Sequence, residues 1–139
     1  GAPVGGYKTD MTRTVAIGKV SAELKSVYDA VLTAQGMALD AIRAGVSCRE
    51  VDKTARDYLD ARYPDAFGHG LGHSVGLFIH EGPQLSAKSE DVLEVGQVMT
   101  VEPGVYIPGL GGCRIEDIVV ITATGYENLI DAPKHLIVL

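Results

Sequence analysis

The run Phe67-Gly68-His69-Gly70-Leu71-Gly72-His73-Ser74-Val75-Gly76-Leu77-Phe78-Ile79-His80-Glu81-Gly82-Pro83 holds three of the chain's four histidines within twelve residues. Imidazole is the commonest metal ligand and the usual proton carrier near neutral pH. The intervening glycines let backbone approach closely, so the run reads as the wall of a site. Three carboxylates stand in comparable apolar, extended-looking stretches elsewhere: Asp10, Glu102 and Glu116. A carboxylate buried in a strand is costly unless it is paired or bound to metal. Three cannot neutralise one another, and a divalent cation is the economical counter-charge. Oxygen ligands with one imidazole suit manganese, cobalt, iron or zinc. The candidate metal set is therefore Asp10, His73, Glu102 and Glu116.

Local spacing adds detail. Pro103 biases Glu102 towards extended backbone. Arg114 and Glu116 lie two apart, so in a strand both leave the same face and Arg114 is expected to orient the Glu116 carboxylate from behind. His69 and His73 share a face of an extended chain. His73 and His80 lie seven apart, on opposite faces of a straight strand, so both line one pocket only if the chain bends, most simply at Gly76. Singly, each residue has an ordinary explanation: a turn for Asp10, an ion pair for Glu102 or Glu116, a structural hydrogen bond for His69 or His80. His135 reads as a surface residue. Together the four ligands argue for a metal site.

The elements that must position these groups follow from periodicity. Gly5 to Gly18 alternates as a strand. Ser21 is a fitting N-cap for a helix to about Ala44, with Gly45 as C-cap. Ser47-Cys48-Arg49-Glu50 fits a capping box for a second helix to about Arg62, burying Val51, Ala55, Tyr58 and Leu59. The remainder reads as strands at Ser74 to Ile79, Val98 to Ile107, Cys113 to Thr122 and Tyr126 to Ile130. This order predicts an α+β fold, an antiparallel sheet covered by helices on one face.

Composition bounds the rest. With 139 residues and 46% hydrophobic content, one domain with a real core is expected. A net charge of −6 disfavours a nucleic-acid-binding surface, which would need a basic stripe. No apolar run is long enough for a membrane span. Cys48 and Cys113 lack metal spacing and read as two reduced thiols of a cytoplasmic protein.

Four strings carry a resemblance: Gly6-Tyr7-Lys8-Thr9-Asp10-Met11-Thr12-Arg13-Thr14, the His69 to Pro83 run, Thr100-Val101-Glu102-Pro103-Gly104-Val105-Tyr106, and Gly112-Cys113-Arg114-Ile115-Glu116-Asp117. They resemble the pita-bread metallopeptidases, the family of methionine aminopeptidase, aminopeptidase P and Xaa-Pro dipeptidase (prolidase), and look most like its bacterial Xaa-Pro peptidases. The ending Ala132-Pro133-Lys134-His135-Leu136-Ile137-Val138-Leu139 adds to this likeness.

The resemblance implies a curved antiparallel sheet with helices on its outer face, and two divalent ions, manganese before cobalt, zinc or iron. Asp10 and Glu116 would bridge the ions, and His73 and Glu102 would hold one of them. A hydroxide shared by the metals would attack the peptide bond preceding proline. Glu102 would also shuttle the proton, His80 would meet the substrate carbonyl, His69 would position substrate or relay protons, and Arg114 would support ligand geometry. The family's fifth ligand, an aspartate in an Asp-x-Gly string whose glycine aligns with Gly1, would precede this chain. Residues 1–139 are thus expected to be the C-terminal portion of the catalytic domain, binding one ion weakly by themselves. The expected partners are proline-containing peptides and a second copy of the chain. The alternative is a non-catalytic peptide-binding module on the same fold. A metal-free hydrolase such as creatinase is disfavoured by the retained ligands.

Overall fold

The computed structural model describes residues 1–139. Two helices accompany nine short strands that form three antiparallel sheets, the α+β arrangement expected. Helix α1 spans Ala22–Ala41 and α2 Cys48–Asp60. The strands are β1 Pro3–Val4, β2 Tyr7–Lys8, β3 Gly72–Ser74, β4 Glu81–Leu85, β5 Val98–Val101, β6 Gly104–Ile107, β7 Gly111–Arg114, β8 Asp117–Ile121 and β9 Tyr126–Asn128. The central sheet has the order β4-β3-β5-β8-β9, and β1-β2 and β6-β7 form separate pairs.

Ser21 caps α1 as expected, its hydroxyl accepting from the Leu24 amide at 3.1 Å. The helix stops at Ala41, short of the expected Ala44. Tertiary bonds explain the early exit: the Ala44 and Gly45 amides donate to the Thr122 and Leu93 carbonyls. Gly45 turns the connection at φ +85° instead of capping the helix. The capping box at α2 is not formed, because Ser47 makes no side-chain cap bond. Its backbone bridges Val92 while the Cys48 amide donates to Asp91. The helix ends at Asp60, before the expected Arg62, where the Arg62 and Tyr63 amides both turn back to the Leu59 carbonyl. Tyr58, expected in the core, is only partly buried, with the Arg62 guanidinium over its ring.

The core lies between helices and sheets. Val31, Ala34 and Ala38 of α1 meet Val51, Ala55 and Leu59 of α2, and Leu71, Leu85, Met99, Val101 and Ile115 complete it. Helix α1 packs on β5, β6 and β7, and α2 on β4. No helix is long and apolar enough to cross a membrane.

The long expected strands are broken, and each break positions a candidate ligand. Val98 to Ile107 divides at Glu102-Pro103, since proline offers no amide to continue the ladder. Cys113 to Thr122 divides at Ile115-Glu116. The Gly5 to Gly18 stretch becomes a hairpin turning at Gly5 and Gly6, followed by an irregular segment with single bridges Thr12↔Glu116 and Ala16↔Val138. The alternation is only partial: Asp10, Thr12 and Thr14 turn inward and Met11 and Val15 outward, but Arg13 is largely buried as well.

Candidate metal centre

Gly72 allows β3 to lie against β5: a Cβ there would fall 2.0 Å from the Thr100 carbonyl oxygen. This approach lets the His73 amide donate to Thr100 Oγ1 at 2.9 Å. The His73 ring meets the Ser74 carbonyl through Nδ1 at 3.0 Å. Nε2 is thereby turned towards the carboxylates, 3.2 Å from Glu102 Oε1 and 4.0 Å from Asp10 Oδ2. The stretch Ser74 to Ile79 is strand only at Ser74. After Ser74 the chain bends through Gly76, over which the Glu81 carboxylate sits as it accepts from the Phe78 amide. The bend brings His80 to His73, with ring centroids 4.5 Å apart.

Asp10 enters from the segment after β2, which the Lys8 amide ties to the Gly76 carbonyl at 2.8 Å. Donor atoms of Asp10, His73 and Glu116 all lie within 4.8 Å of one another, so one cation could contact all three. Glu102 joins this group through His73. The four side chains named as ligands therefore converge from four separate stretches of chain. His69, His73, His80, Glu102 and Arg114 line a cleft of about 290 Å³ that has no hydrophobic residue in its lining. Asp10 and Glu116 are not among the cleft's lining residues and join it through His73.

Burial raises the Glu116 carboxyl, and the nearby Glu102 and Asp10 add to that against the Thr12 hydrogen bond and the Arg114 charge, leaving it at about 7. Its Oε1 is buried without any hydrogen-bond partner. Glu102 behaves oppositely. Burial pushes it up, but hydrogen bonds from His73 and Thr100 and the His73 charge hold it below the usual carboxylate range. Burial pushes His73 down, and its bonds to Glu102 and the Ser74 carbonyl more than reverse that. The site thus crowds three carboxylates together and leaves one buried oxygen unmatched, a condition that a divalent cation satisfies.

Arg114 does not orient Glu116 directly. Its Nε donates to Thr12 Oγ1 at 3.1 Å and lies 3.8 Å from Glu102, and its NH1 donates to the Tyr106 hydroxyl. The strand break at Ile115-Glu116 removes the shared face that spacing implied. Thr12 makes the link instead, donating to Glu116 Oε2 at 2.6 Å. Thr12, Thr100 and Tyr106 were not legible as site residues. For Thr100, lying two before Glu102 in a strand was an available signal. His69 meets Tyr106 Oη at 3.0 Å through Nε2, and His135 is exposed as expected.

Residues 1–123 match metallopeptidase family M24. The chain is 47% identical over 140 aligned positions to an uncharacterized peptidase, YqhT, of Bacillus subtilis, covering 100% of this chain and 40% of that protein. It is 44% identical to an Xaa-Pro dipeptidase of Pyrococcus furiosus, covering 99% of this chain and 40% of that one. Among solved structures, an Xaa-Pro dipeptidase from Bacillus anthracis superposes with a TM-score of 0.94 at 49% identity, over 96% of this chain and 38% of that one. The pita-bread architecture expected from the sequence holds. The chain spans about two fifths of the length of the curated relatives it matches.

Proposed function

This chain belongs to metallopeptidase family M24, and we propose that, within a protein of its relatives' length, it serves metal-dependent hydrolysis of the peptide bond preceding proline. The observation that carries the reading is the convergence of Asp10, His73 and Glu116 around one point, with Glu102 against His73 and a buried Glu116 oxygen left without a partner. The proline preference rests on the relatives' names as Xaa-Pro dipeptidases. Residues 1–139 would then be the C-terminal portion of the catalytic domain. Four of the five ligands implied by the family resemblance are in this sequence, so the 139 residues alone would bind one ion and turn over slowly or not at all.

Asp10, His73, Glu102 and Glu116 would hold the metal. When bound, a divalent metal supplies a hydroxide nucleophile at neutral pH and polarises the scissile carbonyl. The chain's own groups do the rest. Glu102, held low by His73 and Thr100, is ionised at neutral pH and can take a proton and return it to the leaving amine. His80, exposed beside His73, would donate to the substrate carbonyl as charge develops there. His69 orients substrate from the cleft wall, its ring set by Tyr106 and, through it, Arg114.

Manganese is the proposed ion, a homodimer the proposed assembly, and the cytoplasm the proposed compartment. The two buried free thiols, Cys48 and Cys113, support the last. The test is hydrolysis of an Xaa-Pro dipeptide with added manganese by the longer protein and by residues 1–139. Cleavage by the longer protein is expected. Metal binding without cleavage of any Xaa-Pro substrate by that protein would instead favour a peptide-binding module.

A further inference from the structure

Glu102 and Glu116 each stand just past the end of a strand, outside the paired ladder, which closes at Val101 opposite Asp117. The peptides leading into both residues are nevertheless held at both ends. The Glu102 amide donates to the Leu71 carbonyl at 2.8 Å, and the Glu116 amide to the Thr12 carbonyl at 3.0 Å. The carbonyls of the same two peptides, those of Val101 and Ile115, accept from one atom: Nε2 of Gln35, at 3.1 Å and 3.3 Å.

Gln35 lies on α1, fully buried among Val31, Ala34, Ala38 and Leu39. Its Oε1 has no hydrogen-bond partner. An apolar side chain of similar volume would fill the position without that unpaired oxygen, so the glutamine is a poor choice for core packing alone. What it adds is a fork that ties the peptide before one candidate ligand to the peptide before the other. We propose that Gln35 is a positioning residue that sets the spacing of the Glu102 and Glu116 carboxylates. Neither its place in the helix nor its amide reaches the cleft, so it acts through the two backbones alone. The inference rests on the metal reading above.

The test compares the 139-residue chain with Gln35→Met, which keeps the volume and removes both donors, and with Val31→Ala, which disturbs the same helix one turn away without touching either peptide. Manganese affinity is measured by calorimetry and the folded state by thermal unfolding. Gln35→Met is expected to weaken manganese binding roughly 10- to 100-fold, the range for lost support behind a ligand, while Val31→Ala lowers the unfolding temperature and leaves affinity in place. Wild-type affinity in Gln35→Met, or an equal loss in Val31→Ala, overturns the proposal. If Gln35→Met does not fold, Gln35→Glu, isosteric and with at most one donor, takes its place under the same criteria. If the unaltered chain binds no manganese, the metal reading fails, and crystals of the metal-free variant decide Gln35's role separately. Lengthening of the 3.2 Å His73–Glu102 or the 2.6 Å Thr12–Glu116 contact upholds it, and retention of both overturns it.

Discussion

Thr12 donates its hydroxyl to Glu116 across 2.6 Å and accepts Arg114 Nε on its other side, so a neutral residue couples the buried carboxylate to the Arg114 guanidinium. Replacing it with valine keeps the shape and removes both bonds. Thr12→Val is expected to weaken manganese binding about 10-fold or more, and Thr12→Ser to recover most of the loss. Calorimetric titration of the two variants checks this.

Glu116 gives the metal-free protein a characteristic pH dependence. Its folded pKa, raised to about 7, exceeds the unfolded value of 4.5. Between these limits the folded state holds a proton that the unfolded state releases. Its contribution is therefore complete below about pH 4.5 and is lost as pH rises through 7, amounting to about 3 kcal/mol. Urea unfolding at intervals from pH 4.5 to 8 should show this decline. Glu116→Gln should flatten it, and manganese should restore stability at the alkaline end.

Asp117, next in sequence, should behave in the opposite sense. Burial raises its carboxyl, but hydrogen bonds from Lys134, Arg13 and Asn128 outweigh this and hold it below the usual range. Arg13 also donates to the Glu116 carbonyl at 2.6 Å, so the same network steadies the candidate ligand. The stability it contributes is present above the unfolded pKa of an aspartate and is lost as pH falls through the lower folded value. Asp117→Ala should destabilise the chain at pH 7 by roughly 3–5 kcal/mol, because Arg13 is left largely buried and unpaired. Denaturant midpoints at pH 7 and pH 3 should converge towards the unaltered protein at the acid end.

Arg56 is expected to matter to the histidine run although it carries no chemistry. It pairs with the fully buried Asp52 through two nitrogens and donates to the Phe67 and His69 carbonyls at 2.9 Å and 2.7 Å. Asp52 in turn accepts the Leu71 amide. Arg56→Met alone strands the Asp52 charge and should cost about 3–5 kcal/mol, whereas adding Asp52→Leu should recover part of it. Chemical denaturation of the single and double variants measures the coupling.

The convergence of Asp10, His73, Glu102 and Glu116 was legible because carboxylates and imidazole inside apolar stretches demand a partner wherever they meet. The two helices were legible from the spacing of apolar residues such as Val27, Val31 and Leu59. Their ends were not, since the Ala44 and Gly45 amides answer to Thr122 and Leu93, which local sequence does not reveal. The strand breaks at Glu102-Pro103 and Ile115-Glu116 were missed for a related reason: both stretches are apolar enough to pass for single strands. Missing the second break led to the expectation that Arg114 touches Glu116, where Thr12 stands between them. Gln35 left no local signal at all, because its partners lie 66 and 80 residues away. The bend at Gly76 was legible because two histidines on opposite faces could share a pocket in no other way.

The most direct test of the metal assignment is a crystal of the 139-residue chain grown with manganese and measured for anomalous scattering. The expected result is a peak contacted by oxygens of Asp10 and Glu116 and by Nε2 of His73, with Glu102 beside it. A manganese-free site with these side chains apart, or a peak bound elsewhere on the chain, would contradict it.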